Sequence, residues 1–512
     1  MDLEMLMKDI PVQRWIGNRS GEVAAVCYDS RNCRPDSLFV AVPGLKADGH
    51  DFLAESIRNG ARVIVHERSI PATSADVSYI QVADSRRVLG RLGRNFYRHP
   101  SSGLCLLGVI GTNGKTTVTY LLESILMAAG CRVGVLGTVN YRYSGKIMAS
   151  PNTTPESLEM QRMLREMADD GVSHVVAEIS SHSIDLKRID DCDFDLGVFT
   201  NLSQDHLDYH KTMENYFAAK RRFFQEILPA SKKNVSPRMV VNGDDPWGRR
   251  LLQEVRLPHL TFGTDTLCDL TTRDVRLTLG GIQAAIVTAE SRFSIVSPLI
   301  GKFNLDNVLA AAAAALALGI APDAIQAGVE HFGQVPGRME KVSGPGQPAV
   351  FVDYAHTDDA LRRVLQNLSA FREGRLITLF GCGGDRDRGK RPLMAQAAAE
   401  FSDRVIVTSD NPRSEDPLDI IREIETGFTG GHMKKIPADL LTADHCSRCY
   451  TVIPDRSEAI ESAIACARNE DIVVIAGKGH EDYQILGNRR IFFDDRTHAR
   501  TALAKWLQQE RP

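Results

Sequence analysis

Gly111-Thr112-Asn113-Gly114-Lys115-Thr116-Thr117 brings two glycines, a lysine and three hydroxyl side chains together in one short stretch. Before it, Leu104–Ile110 is an apolar run of strand length. After it, Val118–Ala129 carries Leu121, Leu122, Ile125 and Leu126 at helical spacing. Strand, glycine-rich turn and helix in that order make an anion cradle. Glycines let the backbone wrap closely around a phosphate, and the helix N-terminus aims free N–H groups at it. Lys115 is placed to reach the outer phosphates, and the Thr116 hydroxyl to meet a magnesium ion. Val109 stands where the usual pattern has its first glycine, so the flanking strand and helix carry the assignment. The expectation is an ATP-binding domain opening near residue 103.

Further polar clusters follow apolar runs along the chain. Glu178 closes the strand-like His174–Ile179, where a carboxylate beside such a loop can hold magnesium or serve the fold. Asn201–His210 packs Asp205, His206, Asp208 and His210 into one loop, which could ligate a metal or cap the next helix. That helix, Met213–Ile227, contains Lys220, which reads from sequence as an ordinary surface lysine. Asn304 and Asn307 share one helical face and suit either a nucleotide base or a helix cap.

These residues need scaffolds to position them. Residues 1–102 read as a small α/β domain, with strands at Val23–Cys27, Leu38–Val42, Arg62–His66 and Tyr79–Val82 and helices at Leu53–Gly60 and Arg86–Arg98. Asp29-Ser30-Arg31 and Gly44–His50, after the first two strands, are either a diphosphate site or two solvated turns. Residues 103–335 read as the nucleotide domain. Within it, residues 260–300 look like an antiparallel flap, and Val308–Ile320 like a buried Ala-rich helix. Residues 336–512 repeat the α/β alternation, with strands at Ala349–Asp353, Leu376–Phe380, Arg404–Thr408 and Ile472–Ala476. A polar cluster follows each of the four, which would gather them on one edge of a parallel sheet.

The 512 residues suit roughly three domains. A net charge of −4 argues against a general nucleic-acid binder. The N-terminus has early acids and no unbroken apolar core, so neither a leader peptide nor membrane insertion is expected. Ten unpatterned cysteines suit a reducing cytoplasm. Cys446-x-x-Cys449 has no second pair and reads as reduced thiols. It lies in residues 427–451, which read as a surface insertion.

Taken in order, GTNGKTT, NTTPES, EISSHS, FTNLSQDHLDYH, GKFNLDN, VPGRME, DYAHTDDAL, GCGGDRDRGKR, DNPRSEDP and GKGHEDYQ make the chain resemble the ATP-dependent Mur ligases over its whole length. The likeness is nearest to the branch that adds the third residue of the peptidoglycan peptide. It implies a small N-terminal α/β domain, a central P-loop ATPase-like parallel sheet and a C-terminal Rossmann-like domain, in a cytoplasmic monomer serving cell-wall synthesis, cell shape and cell division. The implied reaction converts the D-glutamate carboxylate of UDP-MurNAc-L-Ala-D-Glu to an acyl phosphate, which an amine then attacks. Lys115 and Mg2+ would bring carboxylate and triphosphate together.

By the same resemblance, Lys220 is carbamylated and joins Thr116, Glu178 and His206 at the metal. Gly111 to Thr117, Asn304, Asn307, Arg338 and Asp353 take ATP. Ser30, Leu45, Lys46 and Ala47 hold the UDP part. Asn152, Thr153, Thr154, Ser180 and Arg188 hold the sugar-peptide. Leu186 departs from the glutamine of several relatives.

Asp410, Asn411, Pro412 and Arg413 match the type that takes meso-diaminopimelate. Arg413 would grip the distal carboxylate by paired hydrogen bonds, with Arg386, Gly477 and Glu481 completing the pocket. Lysine lacks that carboxylate, and a site built for it discriminates by about 10⁴-fold. The alternatives are the same ligase using L-lysine, a folylpolyglutamate-synthetase-like ligase, and a P-loop nucleotide switch.

Overall fold

The computed structural model describes residues 1–44, 47–70, 74–429, 433–442 and 447–508. These fall into two compact units, the first made of 1–273, 286–293 and 307–329, the second of the remainder.

In the first unit a five-stranded sheet runs in the order Arg14–Ile16, Ser78–Gln81, Ala61–His66, Ser37–Val40, Ala25–Cys27. Four of its strands and the helices Leu53–Arg58 and Ser85–Phe96 match the sequence expectation within a few residues. The helix Leu3–Leu6 and the strand Arg14–Ile16 are too short to leave a periodic signal. An eight-stranded sheet follows, ordered His259–Phe262, Arg238–Asn242, Leu196–Phe199, Cys105–Ile110, His174–Ile179, Val133–Leu136, Tyr141–Tyr143, Lys146–Met148. The first six pair in parallel, and the last two form an antiparallel edge hairpin. His259–Phe262 is therefore an edge strand of this sheet and not part of a flap. The rest of that stretch does form three strands, Thr271–Thr278, Gly281–Val287 and Arg292–Ser297, in a sheet of their own.

Cys105–Ile110, the strand that feeds the glycine-rich loop, lies between Leu196–Phe199 and His174–Ile179. Gly108 and Gly197 are direct partners on neighbouring strands. A Cβ on Gly108 would meet the Phe223 ring at 2.9 Å, and one on Gly197 would meet Phe223 at 2.7 Å and Phe224 at 2.8 Å. The two glycines thus make a notch that two aromatic rings fill. Phe223 and Phe224 begin a π-helical turn, Phe223–Ile227, that continues the helix Met213–Arg222.

The second unit holds a seven-stranded sheet ordered Glu340–Lys341, Ala349–Asp353, Ile472–Ala476, Leu376–Phe380, Arg404–Val407, Cys449–Val452, Lys434–Lys435. All neighbours beyond the first pair are parallel. The four expected strands are adjacent, so their following loops share one edge. Alternation sends Val350 and Val352 to one face with Ile460 and Leu503, and Phe351 to the other with Leu361, Met394 and Ile420. Residues 427–451 are not a surface insertion. They supply two strands, and Phe428, Met433, Leu441, Cys449 and Tyr450 are buried. Cys446 lies outside the described residues. Among the described residues, no helix is long and apolar enough to cross a membrane.

Arg456 and Asp495 are both fully buried and joined by two hydrogen bonds of 2.7 Å. Arg456 also donates to the Ala476 carbonyl at 3.0 Å, tying two helices to the end of a central strand. Arg456→Met strands a buried carboxylate, so urea unfolding should show a loss of about 3–5 kcal/mol. An unchanged midpoint would mean that the pair is not a structural anchor.

Candidate functional site

Gly114 takes a left-handed conformation (φ 86°) and caps a helix that starts at Lys115, earlier than apolar spacing suggests. Lys115, Thr116 and Thr117 therefore sit in the first helical turn, where backbone N–H groups have no intrahelical acceptor. A Cβ on Gly114 would lie 2.3 Å from Asn307 Oδ1, and one on Gly111 only 1.8 Å from Thr200 Oγ1. The loop is thus pressed between Asn307 and the segment after Leu196–Phe199. That segment braces it. Thr112 N donates to Asn201 O at 2.9 Å, Asn113 N to Asn201 Oδ1 at 3.0 Å, and Thr200 Oγ1 to Asn113 O at 2.7 Å.

Glu178 is 1% exposed and anchors a ring of hydroxyls. Its carboxylate accepts from Thr116 Oγ1 at 3.0 Å and from Thr138 N and Oγ1, each at 2.9 Å. Thr138 Oγ1 lies 3.1 Å from Thr153 Oγ1. Thr154 Oγ1 donates to the Glu178 carbonyl at 2.7 Å and accepts from Ser180 N at 3.2 Å. Gly137 is required here, because a Cβ would meet Glu178 Oε1 at 2.4 Å. Thr138 was missed from sequence; its only signal is that it follows the end of Val133–Leu136. Arg188 donates to Thr154 O at 3.0 Å and pairs with Glu156 at 2.8 Å, and Arg86 reaches the same carboxylate at 3.4 Å and Pro43 O at 3.0 Å. Asn152 accepts from Ser150 Oγ and from the Tyr141 hydroxyl.

Lys220 is not a surface residue: it is 1% exposed. Its Nζ donates to the Gly111 carbonyl at 2.9 Å and stands 4.6 Å from the Tyr216 ring centre. The Lys115 ammonium donates to the same carbonyl at 2.9 Å and to Thr112 O at 2.8 Å. Burial, with the Lys115 charge adding to it, drives the Lys220 amine well below its ordinary range. The notch at Gly108 explains the placement. Phe223 locks onto Gly108 three residues from Lys220, and Gly111 lies three residues from Gly108.

His206 takes φ 53° and packs edge-on to His182, ring centres 4.9 Å apart. Packing lowers its affinity for a proton, opposed by Asp205, while His182, Lys115 and Lys220 add to the lowering. Thr212, not the histidines or aspartates, caps the following helix. Among the described residues, no group of three or more His, Cys, Asp or Glu side chains is arranged to hold a metal. Thr116 and Glu178 do offer two adjacent buried oxygen donors of the kind magnesium prefers.

In the N-terminal sheet, Ser30 Oγ donates to Glu55 at 2.9 Å, and Arg31 is paired with Asp29 at 2.6 Å. Ala47 O accepts from Gly44 N at 2.9 Å. Leu45 and Lys46 lie outside the described residues.

In the second unit, Asn304 is 2% exposed and donates to Ile300 O at 3.0 Å. Asp353 accepts from the backbone of Met339 and Ala355 at 2.7 and 2.8 Å, and burial raises its carboxyl above the usual range. Arg338 stacks over Tyr354 at 4.6 Å. Gly337 lies against Gly479 and His480, since a Cβ there would reach His480 N at 2.0 Å.

The strand-end loops of this unit interlock. Asn411 donates to Glu481 at 2.9 Å and accepts from Ile485 N at 2.9 Å. Arg413 adopts φ 54° and donates to Gly384 O at 2.8 Å. Arg386 donates to Asp385 O at 3.3 Å. A Cβ on Gly477 would meet Asp410 Oδ2 at 2.8 Å, and one on Gly384 would meet Pro412 O at 1.9 Å. Lys478, which lies in the GKGHEDYQ stretch but outside the expected site, is fully buried, 3.3 Å from both Asn411 and Glu481 and 3.7 Å from Asp410.

Three stretches match families in turn. Residues 22–97 match the Mur ligase family, catalytic domain; 109–315 the Mur ligase middle domain; and 337–479 the Mur ligase, glutamate ligase domain. A UDP-N-acetylmuramoyl-L-alanyl-D-glutamate–2,6-diaminopimelate ligase of Geobacter metallireducens is 43% identical, covering 98% of this chain and 98% of its own. The chain belongs to the Mur ligase family. A second ligase of the same name, from Gloeobacter violaceus, is 45% identical over 94% of each chain. Among solved structures, this Mur ligase resembles another ligase of that name with TM-score 0.67, 32% identity and 99% of both chains covered. It shares its fold with a MurF ligase of Thermotoga maritima solved with ADP, at TM-score 0.60, 20% identity and 94% and 98% coverage.

In this Mur ligase the buried Lys220 sets a stability prediction. The unfolded chain binds a proton at Lys220 up to pH 10.5, whereas the folded chain releases it well below that value. Folding stability should therefore rise with pH across this window. In CO2-free buffer, Lys220→Met should be more resistant to urea at neutral pH, and the advantage should shrink towards pH 10.5. A variant equally or less stable at neutral pH would contradict a displaced proton equilibrium.

Proposed function

We infer that this Mur ligase joins meso-diaminopimelate to the D-glutamate of UDP-MurNAc-L-Ala-D-Glu with conversion of ATP to ADP and phosphate, in cytoplasmic peptidoglycan synthesis. The observation that carries the reading is the interlocked loop Asp410–Arg413, with Asn411 hydrogen-bonded to Glu481. Full-length similarity to ligases named for 2,6-diaminopimelate supports it. The proposed domains are 1–102 for the UDP substrate, 103–335 for ATP and 336–512 for the amino acid.

The glutamate carboxylate attacks the γ-phosphorus, and the bond to ADP breaks. The amino nitrogen then attacks the acyl carbon, inorganic phosphate leaves with the electron pair, and the nitrogen gives up a proton. Both partners of the first step are anions, so cations must hold them together. Lys115 turns from the loop carbonyls towards the β- and γ-phosphates, while the loop N–H groups and Asn307 hold the rest of the nucleotide. Asn304, Arg338 and Asp353 are assigned to its base, phosphates and ribose. Thr116 and Glu178 would hold Mg2+, which supplies charge neutralisation at the phosphates, with His206 beside them.

Lys220 supplies a further anion in this reading. An amine kept neutral by burial is the form that attacks CO2, forming an N–C bond and releasing a proton. The resulting carbamate provides oxygen donors where the amine provides none. Ser30 and the loop 45–47 take the UDP part. Arg188, positioned by Glu156 and Thr154, takes the sugar-peptide with Asn152, Thr153 and Ser180.

Arg413 is assigned to the distal carboxylate of diaminopimelate, and Glu481 to its distal ammonium, with Arg386 and Gly477 lining the pocket. Arg413→Ala should lower kcat/KM for meso-diaminopimelate by about 30-fold to several thousand-fold, in a panel that also offers lysine and ornithine. Lysine used as readily as the diacid by the unaltered protein would overturn the assignment. Lys220→Ala should lose about 10²–10³-fold in kcat and recover part of it with short carboxylic acids. Absence of rescue, with an unmodified Lys220 by mass, would remove the carbamate from the scheme.

A further inference from the structure

The edge strand Ala25–Cys27 of the N-terminal sheet ends at Cys27, and Cys33 closes the single 3-10 turn Ser30–Asn32 that follows. Their Sγ atoms are 2.7 Å apart. Cys27 is buried, while Cys33 is only partly so. The intervening turn is itself anchored. Asp29 caps it by accepting from Arg31 N at 3.0 Å, Ser30 Oγ donates to Glu55, and Ser30 O accepts from Asn59 at 2.9 Å. Neither thiol has a role in the chemistry above. Five residues separate them in the chain, a spacing that carries no sequence signal, and the turn alone brings them together.

We propose that Cys27 and Cys33 form a reversible, peroxide-responsive disulfide that clamps the Ser30 turn. The contact between the two sulfurs eases loss of the Cys33 proton, against burial and the nearby Asp29 and Glu55 carboxylates, and Cys33 is the more accessible of the two thiols. The oxidant is hydrogen peroxide or an organic hydroperoxide. The Cys33 thiolate attacks one peroxide oxygen, the O–O bond breaks, and water or an alcohol leaves, giving a sulfenic acid. Cys27 then attacks the Cys33 sulfur, the S–O bond breaks, and the second oxygen leaves as water. Overall, two thiols lose two electrons and two protons, and one peroxide is reduced. A small dithiol reverses the step by thiol–disulfide exchange. The bond closes a ring around the turn that carries Ser30, so the turn loses opening motions while its hydrogen bonds to Glu55 and Asn59 stay in place. The clamp lies on the proposed UDP-substrate turn, but the bond itself does not depend on that assignment.

The full-length protein is exposed to a few equivalents of hydrogen peroxide, excess thiols are blocked, and the digest is mapped by mass. The expected product is a peptide spanning Cys27 and Cys33 that is two hydrogen masses lighter and is restored by dithiothreitol. Cys33→Ser should abolish it, and Cys27→Ser should instead leave a sulfenic acid at Cys33 that dimedone traps. Amide exchange at Arg31–Cys33 should slow by at least fivefold in the oxidised form. Both thiols labelled after peroxide, or linkage to other cysteines, overturns the disulfide. A mapped disulfide with unchanged exchange overturns the clamp. Because neither readout uses turnover, a failed ligase assay would count against the proposed function without touching this result.

Discussion

One backbone oxygen organises the nucleotide half of this protein. The Gly111 carbonyl accepts from both Lys115 and Lys220. Two ammonium groups on one acceptor cannot both stay charged without large cost when one is fully enclosed. The strain is relieved at Lys220, where burial favours the neutral amine. Lys115 is less enclosed and shares its contacts between the Gly111 and Thr112 carbonyls. The two lysines thus diverge in character because of where the fold puts them. Their residue type alone would make them equivalent.

Glu178 has the complementary part. Its carboxylate gathers Thr116 from the loop helix and Thr138 from the neighbouring strand end, and its own carbonyl takes Thr154. Three sequence segments are thereby indexed to one strand, His174–Ile179, directly beside the strand that feeds the loop. In the second unit Asn411, Glu481 and Lys478 index two strand-end loops in the same manner. Both halves use a parallel sheet to bring distant loops to one edge and buried polar contacts to fix their register.

Much of this was legible in the sequence. Apolar runs of five or six residues mark Cys105–Ile110, His174–Ile179, Ala349–Asp353 and Ile472–Ala476 almost to the residue, because strands buried on both faces are continuously apolar. Glycine-lysine spacing locates the anion cradle. What stayed hidden depends on tertiary contact. Lys220 looks like a surface residue because the helical pattern around it is polar, and the Gly108–Gly197 notch that buries it joins residues far apart in the chain. Cys449–Val452 was hidden by its polar surroundings and by its place near the edge of the sheet. Cys27 and Cys33 were unremarkable until a turn joined them. The resemblance carried by the ordered motifs, and not composition or spacing, suggests a role for Lys220 beyond the surface.

The aromatic plug in the central sheet also bears on how such proteins diverge. Phe223 and Phe224 fit only where Gly108 and Gly197 lack side chains, so these four positions form a lock that cannot drift singly. A methyl group gained on either strand would lever the π-helical turn outward and carry the lysine with it. Sequence change here must be concerted: a larger strand residue is tolerated only alongside a smaller ring substitute.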